Sequence, residues 1–312
     1  LVKLIEDYRE DKMIVVFDAA RENFRNKIFK DYKANRGETP EDLIPQFEII
    51  RECVDAFNIP QIEIEGFEAD DIIASYCILA EKQKIESIII SSDKDLMQLV
   101  SNKIRLFDPM KSKVIGEKEV LEKFGVKPNQ VIDVQSLAGD TSDNIPGVPG
   151  IGIKTASELI NKYKNLDNLL NKASEITQNK RRETLIANKE KALLSKKLVT
   201  LKEDVPVKQS AEKFLIKSID KEKLYSFLRE MEFNRLLSQA ISFYGEPNIK
   251  NFDLENKLKK QSKINTKEYK SITEEKKLNK IVDDLNGKSI FAVDTETTSL
   301  NPQEAELVGI SL

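Results

Sequence analysis

The chain has 312 residues, and its 40% hydrophobic content is enough for a sizeable core in one large domain or two smaller ones. Its 50 Lys and Arg residues are balanced by 53 Asp and Glu residues, and the resulting net charge of −3 excludes a globally basic nucleic-acid binder. No apolar run has the length needed to span a bilayer, and no signal segment opens the chain. The two cysteines, Cys53 and Cys77, lie in helical patterns, which favours reduced thiols and a cytoplasmic location.

The first part of the chain alternates between strand and helix patterns. Apolar runs at residues 13–17, 59–64 and 87–91 predict strands, and helical periodicity covers residues 45–57 and 70–83. This alternation predicts an α/β fold with a mainly parallel sheet and flanking helices. Ligands bind such sheets beyond the carboxyl ends of their strands.

The second part of the chain is predicted to be helical. Strand signals fade from about residue 128, and helical patterns predominate as far as residue 243. Within this part, residues 145–203 carry 12 basic and 6 acidic residues, so positive charge is concentrated there.

The last part of the chain reads as a linker followed by the start of another domain. Residues 245–285 are rich in Lys, Asn, Glu and Ser, as linkers are, and end in a predicted helix at 274–285. A new strand is predicted at 289–293, ending in Asp-Thr-Glu at 294–296, with residues 307–312 as its hairpin partner.

Eight carboxylates occur in four short islands, three of which directly follow an apolar run or begin a predicted helix. Taken singly, each acid also suits a helix cap or a turn. Taken together, they favour a metal site, because carboxylates brought to one rim repel each other unless cations lie between them. In a chain without histidine, such an all-oxygen set suits Mg²⁺ or Mn²⁺. The islands are Asp18; Glu68, Asp70 and Asp71; Asp93 and Asp95; and Asp140 and Asp143.

Closely spaced glycines form the second candidate site. Gly147, Gly150 and Gly152 precede Lys154 and Thr155 and predict a tight hairpin between two helices. Backbone N–H groups at the start of the second helix can hold a DNA phosphate, a contact that positions a duplex without reading its sequence. An ordinary interhelical turn is the alternative.

Residues 21–36 combine cations with aromatic side chains. A solvated charged helix is the usual meaning of such a stretch. Beside a nuclease site, however, Arg25, Lys33 and Arg36 could steer a strand and neutralise its phosphate while aromatic rings stack on bases. The stretch contains Arg21, Arg25, Lys27, Lys30, Lys33, Arg36, Phe24, Phe29 and Tyr32.

These motifs together resemble the 5′-nuclease domain of bacterial DNA polymerase I, which belongs to the flap endonuclease family. The resemblance covers residues 1–245, and residues 291–300 are similar to the first motif of that polymerase's 3′–5′ exonuclease-like domain. The matching segments are Phe-Asp-Ala at 17–19, Asp-Tyr-Lys-Ala-Asn-Arg at 31–36, Gly-Phe-Glu-Ala-Asp-Asp at 66–71, Ser-Asp-Lys-Asp at 92–95, Gly-Asp-Thr-Ser-Asp-Asn at 139–144 and Gly-Val-Pro-Gly-Ile-Gly at 147–152.

The resemblance implies four regions. Residues 1–125 would form an α/β nuclease core, spanned by a helical arch, and 126–245 a helical subdomain with a helix–three-turn–helix element for DNA. Residues 246–285 would be a linker. Residues 286–312 would begin an incomplete 3′–5′ exonuclease-like domain, with Asp294 and Glu296 as its metal ligands.

The resemblance also implies roles for single residues. Lys33 and Arg36 would contact the scissile phosphate, and two Mg²⁺ or Mn²⁺ ions would be bound, with K⁺ at the helix–three-turn–helix element. The implied first metal site comprises Asp18, Glu68, Asp70 and Asp71, and the second Asp93, Asp95, Asp140 and Asp143. The expected DNA-binding residues are Arg25, Gly147, Gly150, Gly152, Lys154 and Thr155.

The expected function is metal-dependent, structure-specific 5′–3′ exonuclease or flap endonuclease activity. Its substrates would be DNA with a 5′ flap, a nick or an RNA primer, and its partner the polymerase domain of a parent chain. We expect a monomer located in the cytoplasm, associated with the nucleoid. The family's domain opens with a strand that bears another metal-ligating Asp, and this sequence starts after it. The alternative is therefore a branched-DNA-binding module that does not cut. A PIN-type RNase is disfavoured because those enzymes lack the glycine hairpin.

Overall fold

The structure is a computed structural model that describes residues 1–8, 12–19, 22–208, 211–246, 270–286, 290–299, 301 and 304–311. The chain divides into two compact units, Leu1–Pro247 and Asn248–Leu312. Each unit is described by itself below.

The strands of the first unit form two short sheets. Strand β1 (Val15–Val16) pairs in parallel with β2 (Gln61–Ile62). Strand β3 (Ser87–Ile90) pairs in parallel with β4 (Ile104–Asp108), and β5 (Lys113–Ile115) adds an antiparallel edge to β4. The predicted α/β class with mainly parallel pairing is confirmed, although the strands are distributed over two sheets.

Helices fill the rest of the first unit, and those at Gln46–Ala56 and Ala69–Lys82 confirm the two predicted near the N-terminus. Short 3₁₀ turns lie at Asp95–Leu99, Pro128–Gln130, Ala173–Glu175 and Ala211–Phe214. The helices are α1 (Val2–Asp7), α2 (Phe24–Ile28), α3 (Gln46–Ala56), α4 (Ala69–Lys82), α5 (Glu117–Phe124), α6 (Val131–Ala138), α7 (Ile153–Tyr163), α8 (Leu166–Asn171), α9 (Asn179–Ala187), α10 (Lys189–Val199), α11 (Lys221–Glu230) and α12 (Asn234–Tyr244).

Strands β4 and β5 are not among the predicted elements. In β4 the side chains of Ile104 and Leu106 are buried, whereas that of Arg105 is exposed. This is the period-2 pattern of a half-buried strand. The signal is present in the sequence but spans only three residues before the turn at residues 109–112.

One hydrophobic core joins the α/β part of the first unit to its helical part. Leu96, Leu106, Phe124 and Ile160 all belong to it, each almost completely buried. Burial of this kind stabilises a fold by roughly 25 cal/mol per Å² of apolar surface. The pocket described below therefore lies on a continuous scaffold.

The cysteines are free thiols, as predicted. Cys77 is buried in α4, and Cys53 is partly exposed on α3. Burial raises the pKa of the Cys77 thiol to about 12, so this thiol is un-ionised at neutral pH.

The segment between α6 and α7 is a hairpin in which two glycines touch. Gly139 and Gly147 both have positive φ, of 70° and 57°. A Cβ on Gly147 would lie 2.4 Å from the backbone nitrogen of Gly139, where no side chain fits. Gly150 also has positive φ, of 76°, but a Cβ there would meet no atom within 4 Å.

The second unit contains a helix and a hairpin. Helix α13 (Glu275–Leu285) confirms the predicted helix at the end of the linker, most of which lies outside the described residues. Strand β6 (Asp294–Thr297) pairs antiparallel with β7 (Leu307–Ser311), which confirms the predicted hairpin partner.

The predicted strand starts later than expected, because β6 begins at Asp294 and so contains only residues 294–296 of the prediction, while residue 289 lies outside the described residues. Ladder pairing with β7 begins at Asp294, opposite Ser311. Residues 290–293 have no partner strand among the described residues, and their apolar side chains are exposed. An apolar run predicts a strand only where a neighbour supplies its hydrogen bonds.

No helix in the described ranges has both the length and the apolar character needed to cross a membrane.

Replacing Gly147 with Ala should lower the free energy of unfolding by about 3 kcal/mol or more, because the new Cβ collides with backbone and its φ is strained. The Gly150→Ala variant carries only the φ penalty, about 1 kcal/mol. Denaturant unfolding followed by circular dichroism measures both. Equal losses in the two variants would contradict the close approach of Gly139 and Gly147.

Candidate active site

Carboxylates from four separate segments converge in the first unit. Asp18 follows β1, Glu68 precedes α4, Asp93 follows β3, and Asp140 lies just after α6. Burial, together with the negative charges of Asp93 and Glu68, raises the pKa of Asp70 to about 7. Burial is the largest cause of this shift, and the negative charges of Asp93 and Glu68 add to it. The acids are thus close enough to hinder one another's ionisation.

Asp18 is positioned at the start of α4. Its Oδ1 accepts a hydrogen bond of 2.7 Å from the backbone N–H of Ala69, one of the first-turn donors of that helix. This contact fits the capping role that the sequence left open for Asp18. The contact also holds the Asp18 carboxylate beside Asp70. The negative charge of Asp18 raises the pKa of Asp70 further.

Asp71 is part of a buried ion pair. Both of its oxygens accept hydrogen bonds from the Arg25 guanidinium, each 2.7 Å long, and the side chain is fully buried. The backbone N–H groups of Glu68 and Lys202 donate to it as well. Because Asp71 is fully buried and both of its oxygens are bound by the buried Arg25 guanidinium, it is poorly placed to ligate a metal, and we leave it out of the proposed ligand set.

Arg25 is also used within the protein. Its side chain donates to Glu68 and to the carbonyl oxygens of Leu198 and Thr200, at 2.9, 2.8 and 3.1 Å. Only 1% of Arg25 is exposed. It therefore cross-links α2, α4 and the end of α10, and its contacts favour a structural role over the predicted DNA contact.

The segment around residues 31–36 lies against the fourth island. The Tyr32 hydroxyl is hydrogen-bonded to Glu68 at 2.9 Å and to Asp143 at 3.3 Å. The Lys33 ammonium pairs with Glu68 and lies 3.7 Å from Asp143, and Arg36 donates to Asp143 at 2.6 Å. These side chains connect Glu68 of the second island to Asp143 of the fourth island and place two cations between them.

The third and fourth islands face each other. Lys94 pairs with Asp140 and lies 3.7 Å from Asp95. Although burial opposes it, the Lys94 ammonium and the Ser142 amide hold the pKa of Asp140 below its ordinary value. Burial raises the pKa of Asp95, and the side-chain amide of Gln135, which donates to Asp95, counteracts this.

An open pocket of about 470 Å³ lies between these islands. Four carboxylates line it, and three cations stand among them. Three serine hydroxyl side chains complete the polar wall. The charged residues are Asp93, Asp95, Asp140, Asp143, Arg36, Lys94 and Lys123.

The donor set of this region fits a hard divalent cation, because it consists of carboxylate oxygens held close together, which are the ligands that such cations prefer. Over the described residues, however, no three of these acids form a ready-made ligand cluster. Lysine side chains occupy the places beside Glu68 and Asp140 instead. Divalent binding would thus require Lys33 and Lys94 to move.

The glycine hairpin presents the N-terminus of α7. Gly150, Gly152 and Lys154 are exposed, and the backbone N–H groups of the first turn point away from the helix. The N–H of Gly147, by contrast, donates to the buried Ser195 hydroxyl at 3.0 Å. Gly147 therefore shapes the hairpin, and the candidate phosphate contacts begin at Gly150.

Comparison with known families assigns the chain. The model of the 5′-3′ exonuclease N-terminal resolvase-like domain matches residues 1–125, and that of the 5′-3′ exonuclease C-terminal SAM fold matches residues 126–222. The 5′-3′ exonuclease of Aquifex aeolicus is 38% identical over 246 residues, covering 79% of this chain and 84% of that protein. The chain belongs to the 5′-3′ exonuclease family.

Some relatives within this family are longer proteins. DNA polymerase I of Rhizobium leguminosarum is 49% identical over 243 residues, which cover 76% of this chain and 24% of that protein. The chain therefore spans about a quarter of the length of this polymerase relative.

A solved structure shares the fold. The bacteriophage T5 flap endonuclease, in a pseudo-enzyme-product complex with DNA and metal ions, matches with a TM-score of 0.58 at 24% identity, over 74% of this chain and 87% of that chain. At this identity the likeness supports the fold alone. It confirms the predicted architecture of an α/β nuclease core followed by helices.

The structure brings some of the predicted site residues together and places others elsewhere. Asp71, Arg25 and Gly147 are engaged within the protein. The structure brings together seven of the predicted acids and two of the predicted cations, which are Asp18, Glu68, Asp70, Asp93, Asp95, Asp140, Asp143, Lys33 and Arg36. Thr155 is partly exposed beside Lys154, and Arg21 lies outside the described residues. In the second unit, Asp294 and Glu296 lie exposed on β6.

The sequence does not single out four residues that the structure places at the site. Tyr32 is expected to stack on bases, but it is only 4% exposed, and its hydroxyl joins two islands. Gln135 and Lys123 lie on helices without any acidic motif, so only tertiary packing brings them to the pocket. Lys94 had a local signal, since it stands between Asp93 and Asp95.

Replacing Arg25 with Met should lower the free energy of unfolding by about 3–5 kcal/mol, because the Asp71 carboxylate would stay buried without its partner. The control is Arg51→Met, which breaks the exposed ion pair with Glu63 and should cost less than about 1 kcal/mol. Urea unfolding measures both. A loss at Arg25 no larger than at Arg51 would contradict the structural role.

Proposed function

We propose that this chain is a metal-dependent 5′ nuclease that hydrolyses phosphodiester bonds in DNA with a 5′ flap, a nick or an RNA primer. The observation that carries the proposal is the meeting of carboxylates from four segments, with Lys33 and Arg36 among them. A scissile phosphodiester is anionic, so cations must lie between it and the acids if the region is to hold it. The acids are thus suited to holding metal and the cations to holding phosphate.

Membership of the 5′-3′ exonuclease family supports the reaction class. The T5 flap endonuclease, which shares the fold, was solved with DNA and metal ions. Together with the oxygen-only donor set, these likenesses support Mg²⁺ or Mn²⁺ as the cofactor, with two ions bound.

We assign the metal-holding residues to two groups. Asp18, Glu68 and Asp70 would form one group, and Asp93, Asp95, Asp140 and Asp143 the other. When bound, divalent ions lower the pKa of a coordinated water and stabilise the leaving oxygen of the phosphodiester. Of the chain's own residues, Asp70 would lose the proton that it holds near pH 7 on metal binding.

Lys33 and Arg36 would orient the scissile phosphate. Both now pair with acids of the site, Lys33 with Glu68 and Arg36 with Asp143. The Arg36 side chain is 53% exposed, so it can turn toward a strand that enters the pocket. A guanidinium and an ammonium beside the phosphate would stabilise the charge that develops as the bond breaks.

The hairpin of residues 147–152 would hold the duplex part of the substrate. The exposed first-turn N–H groups of α7 and the Lys154 side chain together suit a backbone phosphate. Residues 145–203 add local positive charge. A K⁺ ion bound at the hairpin belongs to the same proposal.

The proposal also includes the location of the protein, its oligomeric state and its partner. Because the substrate is chromosomal DNA, the protein would work in the cytoplasm at the nucleoid, as a monomer. The polymerase relatives suggest a polymerase domain as its partner in removing primers during replication and repair.

Replacing Asp140 with Asn should reduce Mg²⁺-dependent cleavage of a 5′-flap oligonucleotide by about a hundredfold or more, because a metal-holding charge is lost. The matched control is Asp204→Asn, which removes an acid of the same type from an exposed ion pair with Lys202. Product formation on denaturing gels measures the rate.

Undiminished cleavage by the Asp140 variant would refute the site assignment. If the unaltered 312-residue chain binds flap DNA in Mg²⁺ but forms no product, the DNA-binding module without cleavage is the correct function instead.

Replacing Lys154 with Gln should weaken binding to a duplex flap about three- to tenfold and reduce the slope of log affinity against log salt by about 1, because one phosphate contact is lost. Fluorescence anisotropy in KCl buffer without divalent ions measures binding without cleavage. Lys82→Gln, at the far end of α4 from the site, is the control and should change neither quantity. An unchanged slope in the Lys154 variant would exclude its phosphate contact.

A further inference from the structure

Lys94 has a place in the site that the proposed nuclease function does not itself require. It lies in the turn between Asp93 and Asp95, where the Asp95 backbone N–H donates to Asp93 Oδ1 at 2.8 Å. The N–H of Asp93 donates in turn to the Ser91 hydroxyl at 3.0 Å. This turn holds the backbone of Lys94 at the edge of the pocket, between two acids.

From this position the Lys94 ammonium binds one of the two carboxylate oxygens of Asp140. Asp140 Oδ1 accepts the backbone N–H of Ser142 at 2.8 Å, so it is already occupied. Asp140 Oδ2 accepts from the Lys94 ammonium. A cation that approaches Oδ2 must therefore compete with Lys94.

The Lys94 ion pair is built to be reversible. Its side chain is 34% exposed, and lysine is a flexible point charge that readily exchanges partners. The Arg25–Asp71 pair differs in each respect, because it is bidentate and its two side chains are 2% and 0% exposed. One pair is suited to permanent packing, and the other to release.

We propose that the Lys94 ammonium is a resident counter-ion of Asp140 and Asp95, which holds the acids together in the metal-free protein and is displaced when a divalent cation binds. Lys94 is thus a positioning residue that competes with metal for Asp140. The inference rests on the proposed metal site.

The test compares Lys94→Met with Lys94→Arg and with Lys103→Met. Lys103 is the matched control, because its pair with Glu86 has a similarly exposed lysine, 37% against 34%, and lies outside the pocket. Calorimetric titration with Mg²⁺ alone, without DNA, gives the affinity, and thermal unfolding gives Tm with and without Mg²⁺.

Without its competitor, the Lys94→Met variant should bind Mg²⁺ about fivefold more tightly than the unaltered chain. Its Tm without metal should fall by about 2–4 °C, because the acids then repel one another, and Mg²⁺ should restore it. The Lys94→Arg variant should keep a metal-free Tm close to that of the unaltered protein. The Lys103→Met variant should match the unaltered protein in both Mg²⁺ affinity and Tm.

An unchanged or weaker Mg²⁺ affinity in Lys94→Met, beside normal binding by the unaltered chain, would overturn the counter-ion role alone. Absence of Mg²⁺ binding in the unaltered chain would overturn both this role and the proposed metal site. If Lys94→Met does not fold, Lys94→Gln replaces it in the test, because glutamine keeps a polar side chain. The same changes in Mg²⁺ affinity and Tm are then expected of Lys94→Gln.

Discussion

The central constraint on this structure is the repulsion among carboxylates that the fold brings together. Asp70 shows its strength, since burial and the nearby acids raise its pKa to about 7. In the described residues the repulsion is relieved by protons and by the cations of Lys33, Arg36 and Lys94. The site is therefore a balance of charges, and bound metal would replace part of the positive charge that the protein now supplies.

Two kinds of ion pair maintain this balance. Arg25 binds Asp71 through two buried hydrogen bonds and also reaches the carbonyl groups at the end of α10. Removing either partner would leave a buried charge, so this pair serves as a structural joint. Lys33 and Lys94 make partly exposed pairs, which cost less to open. The joint keeps the segments in place while the exchangeable pairs leave room for ligand binding.

Much of the architecture could be predicted from local pattern. The strands at residues 15–16 and 87–90 and helices α3 and α4 follow hydrophobic periodicity, which depends on residue spacing alone. The start predicted for the strand at 289–293 was wrong because pairing with β7, rather than apolar content, determines where β6 begins. Strand boundaries depend on the partner, and the partner is a tertiary property.

The sequence by itself determined which chemistry is available: acids in four islands, no histidine, and glycines at the spacing of a hairpin. Residue types and their order along the chain are enough for that conclusion. Only the tertiary structure decided how each acid is used, since Asp71 faces Arg25 whereas Asp140 faces Lys94 and the pocket. Two carboxylates that look alike in a motif differ because burial and the nearest cation, which come from distant parts of the chain, determine what each can bind.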